Sequence, residues 1–73
     1  MTDPYENLAN AIVIMAAKDY KRALNKLKKR PNYEPAKRII KEVERFFHSS
    51  WYRELTSVDG NFLIEKIRSE VSE

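Results

Sequence analysis

Apolar positions recur at spacings of three and four along nearly the whole chain, the period of helices that pack through one face. The longest such stretch lies between Asp3 and Arg30, with a seam of Leu8, Ile12, Met15, Ala16, Tyr20, Ala23 and Leu27. Asp3-Pro4-Tyr5-Glu6 opens it. Asp3 is placed to cap free N–H groups, Pro4 occupies the first helical position where its missing N–H costs nothing, and Glu6 is a capping-box partner. As one helix it is about 39 Å long at about 1.5 Å per residue, so the rest of the chain must fold back along its stripe. Val13 and Ile14 widen the apolar face, which implies more than one neighbour. Lysines and arginines fill the last turns, where they complement the negative end of the helix dipole, and Arg30-Pro31-Asn32 ends the helix.

A second helix is expected from Tyr33 to His48, capped by Asn32, with Pro35 tolerated in its first turn. Ala36, Ile39, Ile40, Val43, Phe46 and Phe47 carry its period, and the short connection predicts an antiparallel hairpin. Ser49 and Ser50 interrupt the pattern, and Trp51–Leu55 reads as a short third helix. The last segment has two solutions. Asp59-Gly60 is a β-hairpin turn, or Thr56 caps a fourth helix with Asp59 as its N3 acid and Val58, Phe62, Leu63, Ile67 and Val71 as its stripe. The helix is preferred, because residues 65–73 have no strand character and a lone hairpin is barely stable. The expected fold is all-α, one domain over residues 1–73. It is a small helical bundle in which a long N-terminal helix packs antiparallel on a second, with a short third and a C-terminal fourth helix.

Length sharpens this picture. At 73 residues there is room for one core, and a domain of that size buries only about 60% of its unfolded surface. With no cysteine, no disulfide or thiolate metal site supplements the core. No run approaches the roughly 20 apolar residues of a membrane span, and Asp3 and Glu6 stand where a secretory signal carries positive charge. The expectation is therefore a soluble cytoplasmic protein with no membrane partner.

Charge adds the main functional cue. The net +3 is the sum of −2 over residues 1–17, +7 over residues 18–45 (eleven basic, four acidic) and −2 over residues 46–73. Lys18, Arg22, Lys26 and then Lys29 or Arg30 recur about every fourth residue along one side of the first helix, flanked by Lys21 and Lys28. Lys37, Lys41 and Arg45 repeat the spacing on the second. Side by side in a hairpin, the two rows would make one extended positive surface for a phosphate backbone, or for an acidic protein surface. The plainer alternative is that these residues only keep a long amphipathic helix soluble, and Glu42 and Glu44 dilute the second row in its favour. Of the aromatic group Phe46, Phe47, Trp51 and Tyr52, most is expected to close the core, with Trp51 or Tyr52 left partly exposed as an interface anchor. Tyr5, Tyr20 and Tyr33 are expected to border the core with their hydroxyls in water.

Catalytic chemistry has little to stand on. His48 is the single histidine and suits a helix C-terminus. Glu42 and Glu44, two apart, face different directions, and one glycine cannot make a phosphate loop. No catalytic residue, metal ligand or cofactor is expected. Val13 and Ile14 lie partly off the main seam of the first helix, and if the second helix covers only one side, the rest favours a homodimer.

Across nearly the full length the chain resembles a known group. Asp3-Pro4-Tyr5-Glu6-Asn7-Leu8-Ala9-Asn10-Ala11-Ile12-Val13, Lys18-Asp19-Tyr20, Glu44-Arg45-Phe46-Phe47, Trp51, Leu55-Thr56, Asp59-Gly60 and Leu63-Ile64-Glu65-Lys66-Ile67-Arg68 resemble short helical proteins encoded in prophages and integrative elements of Gram-positive bacteria. These are structural words, and no functional residue is carried over from them. The resemblance implies a mobile-element setting, in which small proteins act as transcriptional regulators, packaging accessories or inhibitors of host defence, anti-CRISPR proteins among them. The combined expectation is a non-enzymatic protein that docks its basic face on nucleic acid or on a nucleic-acid-handling protein complex. The alternative is a structural homo-oligomer built through the first helix.

Overall fold

The computed structural model describes residues 4–72, and within them the chain is helical with short connections: α1 Pro4–Lys29, α2 Glu34–Phe47, α3 Ser50–Leu55 and α4 Gly60–Ser72. The expected cap at Asp3 lies outside the described residues. The molecule measures 43 × 23 × 18 Å, so α1 spans almost its full length. Tyr33 sits beside Lys26 and Arg30 while Glu44 reaches Tyr20, which makes α2 antiparallel to α1. Arg68 reaches Tyr20 and the Val71 carbonyl accepts from Lys28, so α4 runs parallel to α1 on the other flank.

The helix ends follow local chemistry, with two corrections. α2 is entered through Tyr33, in extended conformation and without a side-chain cap, instead of through Asn32. α3 is capped by Ser49, whose Oγ accepts from the Tyr52 amide at 3.1 Å and donates to the Phe46 carbonyl at 2.6 Å. The fourth helix starts later than expected. Thr56 closes α3, and its Oγ1 accepts from the Val58 amide at 3.2 Å. Asp59 is the residue that caps α4, accepting from the Asn61 amide at 3.1 Å. The hairpin alternative falls with this, since no strand occurs among the described residues.

The core is a cluster of Tyr20, Phe47, Tyr52, Ile64 and Ile67, edged by half-buried Val13, Ala16, Ala17, Leu24, Ile40, Val43, Phe46 and Leu63. Phe47 is its hub. Its ring meets Tyr20 edge-on at 6.1 Å and Tyr52 at 5.4 Å, a favourable quadrupole arrangement. Three expectations are corrected here. Leu8 and Met15 leave the seam and are 61% and 64% exposed, because α2, α3 and α4 land on the side marked by Ala9, Ala16, Tyr20 and Ala23. Of the expected fourth-helix stripe Ile67 is buried, but Val58 falls before α4 and is exposed, Phe62 is exposed, and Ile64 turns inward, because the later start sets the helix phase on Gly60. Tyr20, expected to keep its hydroxyl in water, is fully buried.

Gly60 explains how α4 approaches so closely. A β-carbon there would stand well inside van der Waals contact with the Phe47 carbonyl oxygen and 3.0 Å from its carbon. Only glycine lets the start of α4 rest on the end of α2. Beside this contact His48 Nε2 and Asn61 Oδ1 are 2.6 Å apart, joining the same two helix ends.

Candidate anion-binding surface

The cations of α1 begin where its apolar outer edge stops. Lys18, Lys21, Arg22 and Asn25 surround a shallow depression of about 270 Å³. One turn on, Lys26, Lys29, Arg30 and Tyr33 line an open pocket of about 180 Å³. Local chain geometry builds that pocket. The Arg30 amide donates to the Lys26 carbonyl at 2.8 Å and the Tyr33 amide to the Arg30 carbonyl at 3.1 Å, so the Pro31-Asn32 turn is tight. The turn folds Tyr33 back under the final turn of α1. Lys26 Nζ and Arg30 Cζ each lie 5.9 Å from the Tyr33 ring centroid, within cation–π range.

Several neighbouring cations are already engaged. Arg22 pairs with Asp19 at 3.9 Å and Lys21 with Glu70 at 3.4 Å, both exposed pairs worth at most about 1 kcal/mol. Lys28 donates to the Val71 carbonyl at 2.9 Å and so helps dock α4. Lys18, Lys26, Lys29 and Arg30 have no acidic partner within 4.0 Å among the described residues.

The two expected rows do not join. Glu42, Ile39 and Val43 of α2 face Asp19, Arg22 and Lys26 of α1 across a groove of about 290 Å³. Lys37 and Lys41 share the other stripe of α2, seven and three residues before Glu44, whose carboxylate meets Arg68 of α4. Lys37 itself pairs with Glu34 at 3.7 Å. Arg45 is exposed one turn after Lys41. The cause is the burial of Ala36 and Phe47, which rotates the α2 cations toward α4 and away from the α1 row. The positive surface is therefore the second half of α1 with its elbow, and the α2 cations form a separate edge.

The interface anchors divide as well. Tyr52 is 1% exposed and packs in the core, so it is not an anchor; its hydroxyl has no hydrogen-bond partner among the described residues. Trp51 is 54% exposed with one edge on Phe46 at 5.5 Å, and remains available.

Sequence inspection missed the polar clasp of the core and the part played by Tyr33. Tyr20 Oη donates to Glu44 Oε2 at 2.6 Å, and Arg68 donates through Nε to Tyr20 Oη at 2.8 Å and through Nη2 to Glu44 Oε2 at 2.6 Å. Burial, then the bond to Glu44, pushes the Tyr20 phenol up to about 12. Burial alone would raise Glu44, but the hydrogen bonds from Tyr20 and Arg68 outweigh it and hold the carboxyl below its ordinary range. This network locks α1, α2 and α4 together. It consists of groups hydrogen-bonded to one another at the edge of the core, where the Glu44 side chain is 29% exposed. Tyr33 was detectable in principle, since it follows Lys26 by seven residues and Arg30 by three. Among the described residues no three His, Cys, Asp or Glu side chains gather as metal ligands, and no helix is long and apolar enough to cross a membrane. No family model, curated protein or solved structure matches this chain.

Proposed function

We propose that this protein is a non-enzymatic nucleic-acid-binding protein that lays the basic half of α1 on the phosphate backbone. The carrying observation is that Lys18, Lys26 and Lys29 of α1 and Arg30 just beyond it are exposed and without acidic partners among the described residues. Uncommitted cations on a rigid rod can each release a phosphate counterion on contact, and no side chain has to be withdrawn from an ion pair first. In the mobile-element setting that the sequence resembles, such binding would serve a regulator or an inhibitor of host defence.

Fluorescence anisotropy with duplex DNA, single-stranded DNA and RNA tests this. Log affinity against log salt should fall with a slope of about −3 to −4, matching three or four phosphate contacts. Changing Lys26, Lys29 and Arg30 together to Glu should weaken binding more than about tenfold and flatten the slope by about three units, because each phosphate contact contributes nearly one. All three residues are exposed, so the fold should survive the change. Failure of every strand type to bind at low salt would end the proposal.

One observation favours a second function, self-assembly through α1. Leu8, Ile14 and Met15 are exposed on its N-terminal half. Sedimentation velocity over a wide concentration range should then show a dimer that Leu8→Glu combined with Met15→Glu removes. A monomer at every concentration would rule it out.

A further inference from the structure

The elbow pocket holds more positive charge than its surroundings neutralise. Lys26, Lys29 and Arg30 converge there, whereas the C-terminal dipole of α1 supplies only about −0.5 of an elementary charge. Glu34 is turned to Lys37 at 3.7 Å and Asp19 to Arg22 at 3.9 Å, while Glu42, in the neighbouring groove that Lys26 also lines, makes no ion pair with Lys26 within 4.0 Å. Where a carboxylate would ordinarily sit, the face of Tyr33 takes two of the cations at 5.9 Å. Aromatic faces offset charge far less than an anion does, so the three cations still repel one another across a small volume. An entering anion relieves that repulsion.

Resting on the nucleic-acid proposal above, we propose that this pocket receives the terminal phosphate of a nucleic-acid strand, so that the protein recognises phosphorylated strand ends. Charge and the number of free oxygens both point to a phosphomonoester over an internal phosphodiester. A monoester carries about −1.5 to −2 at neutral pH and presents three free oxygens, enough for one charge-assisted bond from each cation. An internal diester carries one charge, and its two ester oxygens must continue as chain on both sides. The pocket, about 180 Å³, is open to solvent and lined by three exposed cations and Tyr33, so the charge of the entering phosphate is what favours an end. Lys18 and Arg22, further back along α1, lie where the following phosphates of the strand would run.

The test compares single strands of one sequence carrying a 5′-phosphate, a 3′-phosphate or hydroxyls at both ends, with inorganic phosphate as a separate probe. A phosphorylated end should bind at least about tenfold tighter than the hydroxyl strand, the worth of one or two charge-assisted bonds. Lys29→Gln with Arg30→Gln should bring that ratio close to one while circular dichroism stays unchanged. Inorganic phosphate should shift the backbone amide resonances of residues 26–33 and compete with the phosphorylated strand. Equal, salt-sensitive affinity for all three strands would overturn strand-end recognition and leave the nucleic-acid proposal standing. Amide shifts with inorganic phosphate but no binding of any strand would overturn both.

Discussion

Replacing Gly60 by alanine is expected to destabilise the protein by about 3 kcal/mol, although alanine is the better helix former. Two effects compete. Removing the flexibility of glycine favours the folded state by about 0.5–1 kcal/mol, and less than that at the first position of a helix. Against it, the new methyl group meets the Phe47 carbonyl, which is backbone and cannot swing aside as a side chain would. Relief requires α4 to lift away from α2. That opens the contacts of Ile64 and Ile67 with the aromatic core and strains the His48–Asn61 contact. A 73-residue domain holds roughly 4–11 kcal/mol in all, so the clash removes a large share of it. At about 4–8 °C per kcal/mol, the thermal midpoint followed by circular dichroism should fall by about 12–24 °C. Ser69→Ala, an exposed change on the same helix, should leave the midpoint nearly unmoved. A fall of less than about 4 °C for Gly60→Ala, within the worth of about 1 kcal/mol, would mean that α4 slides without loss and that the close approach is not needed.

The Tyr20–Glu44–Arg68 clasp is expected to give the fold an acid limb and an alkaline limb of opposite sign. The Glu44 carboxyl titrates below its ordinary value in the folded protein. Its stabilisation is therefore complete above the unfolded value, near 4.3, and is lost as pH falls through the folded one. The Tyr20 phenol is raised from 10.0 to about 12. Its contribution is complete below 10 and disappears as pH climbs toward 12. Burial also raises the Tyr52 phenol, with Asp59 adding to it, so part of the alkaline limb belongs to that residue. Urea unfolding measured across pH should show a plateau between these limbs. Glu44→Gln should lower the plateau by about 1–3 kcal/mol, the range for breaking a partly buried hydrogen bond to a charged group, and flatten the acid limb. The lower part of that range is expected, because the Arg68 side chain is 54% exposed and solvent screens the pair. Tyr20→Phe keeps the Glu44–Arg68 pair and should cost about 1 kcal/mol while shortening the alkaline limb. An acid limb as steep in Glu44→Gln as in the parent protein would show that other carboxylates carry it.

What sequence alone determined is local. Pro4 at the start of α1, Pro31 after it and the Ser49-Ser50 break before α3 each act within one turn of the backbone they govern. That is why the order, number and approximate ends of the helices could be read from residue type and period. The basic section was legible for the same reason, since spacing along one helix fixes which side chains share its side. What tertiary structure decided is everything that depends on where a second helix lands. Leu8 and Met15 match the period of Ala9 and Ala16 almost as well as the buried residues do, and only the positions of α2, α3 and α4 select which edge is covered. Glu44 resembles any surface acid until Arg68, twenty-four residues later, arrives beside it. Tyr52 and Trp51 are adjacent and so point about 100° apart around α3, and only the position of the other helices decides that the core lies on the Tyr52 side. The cations of α2 lie apart from those of α1 because burial of Ala36 and Phe47 sets the rotation of α2. Periodicity states which residues move together on a helix, but the energy that chooses which face is covered comes from packing between segments distant in the chain.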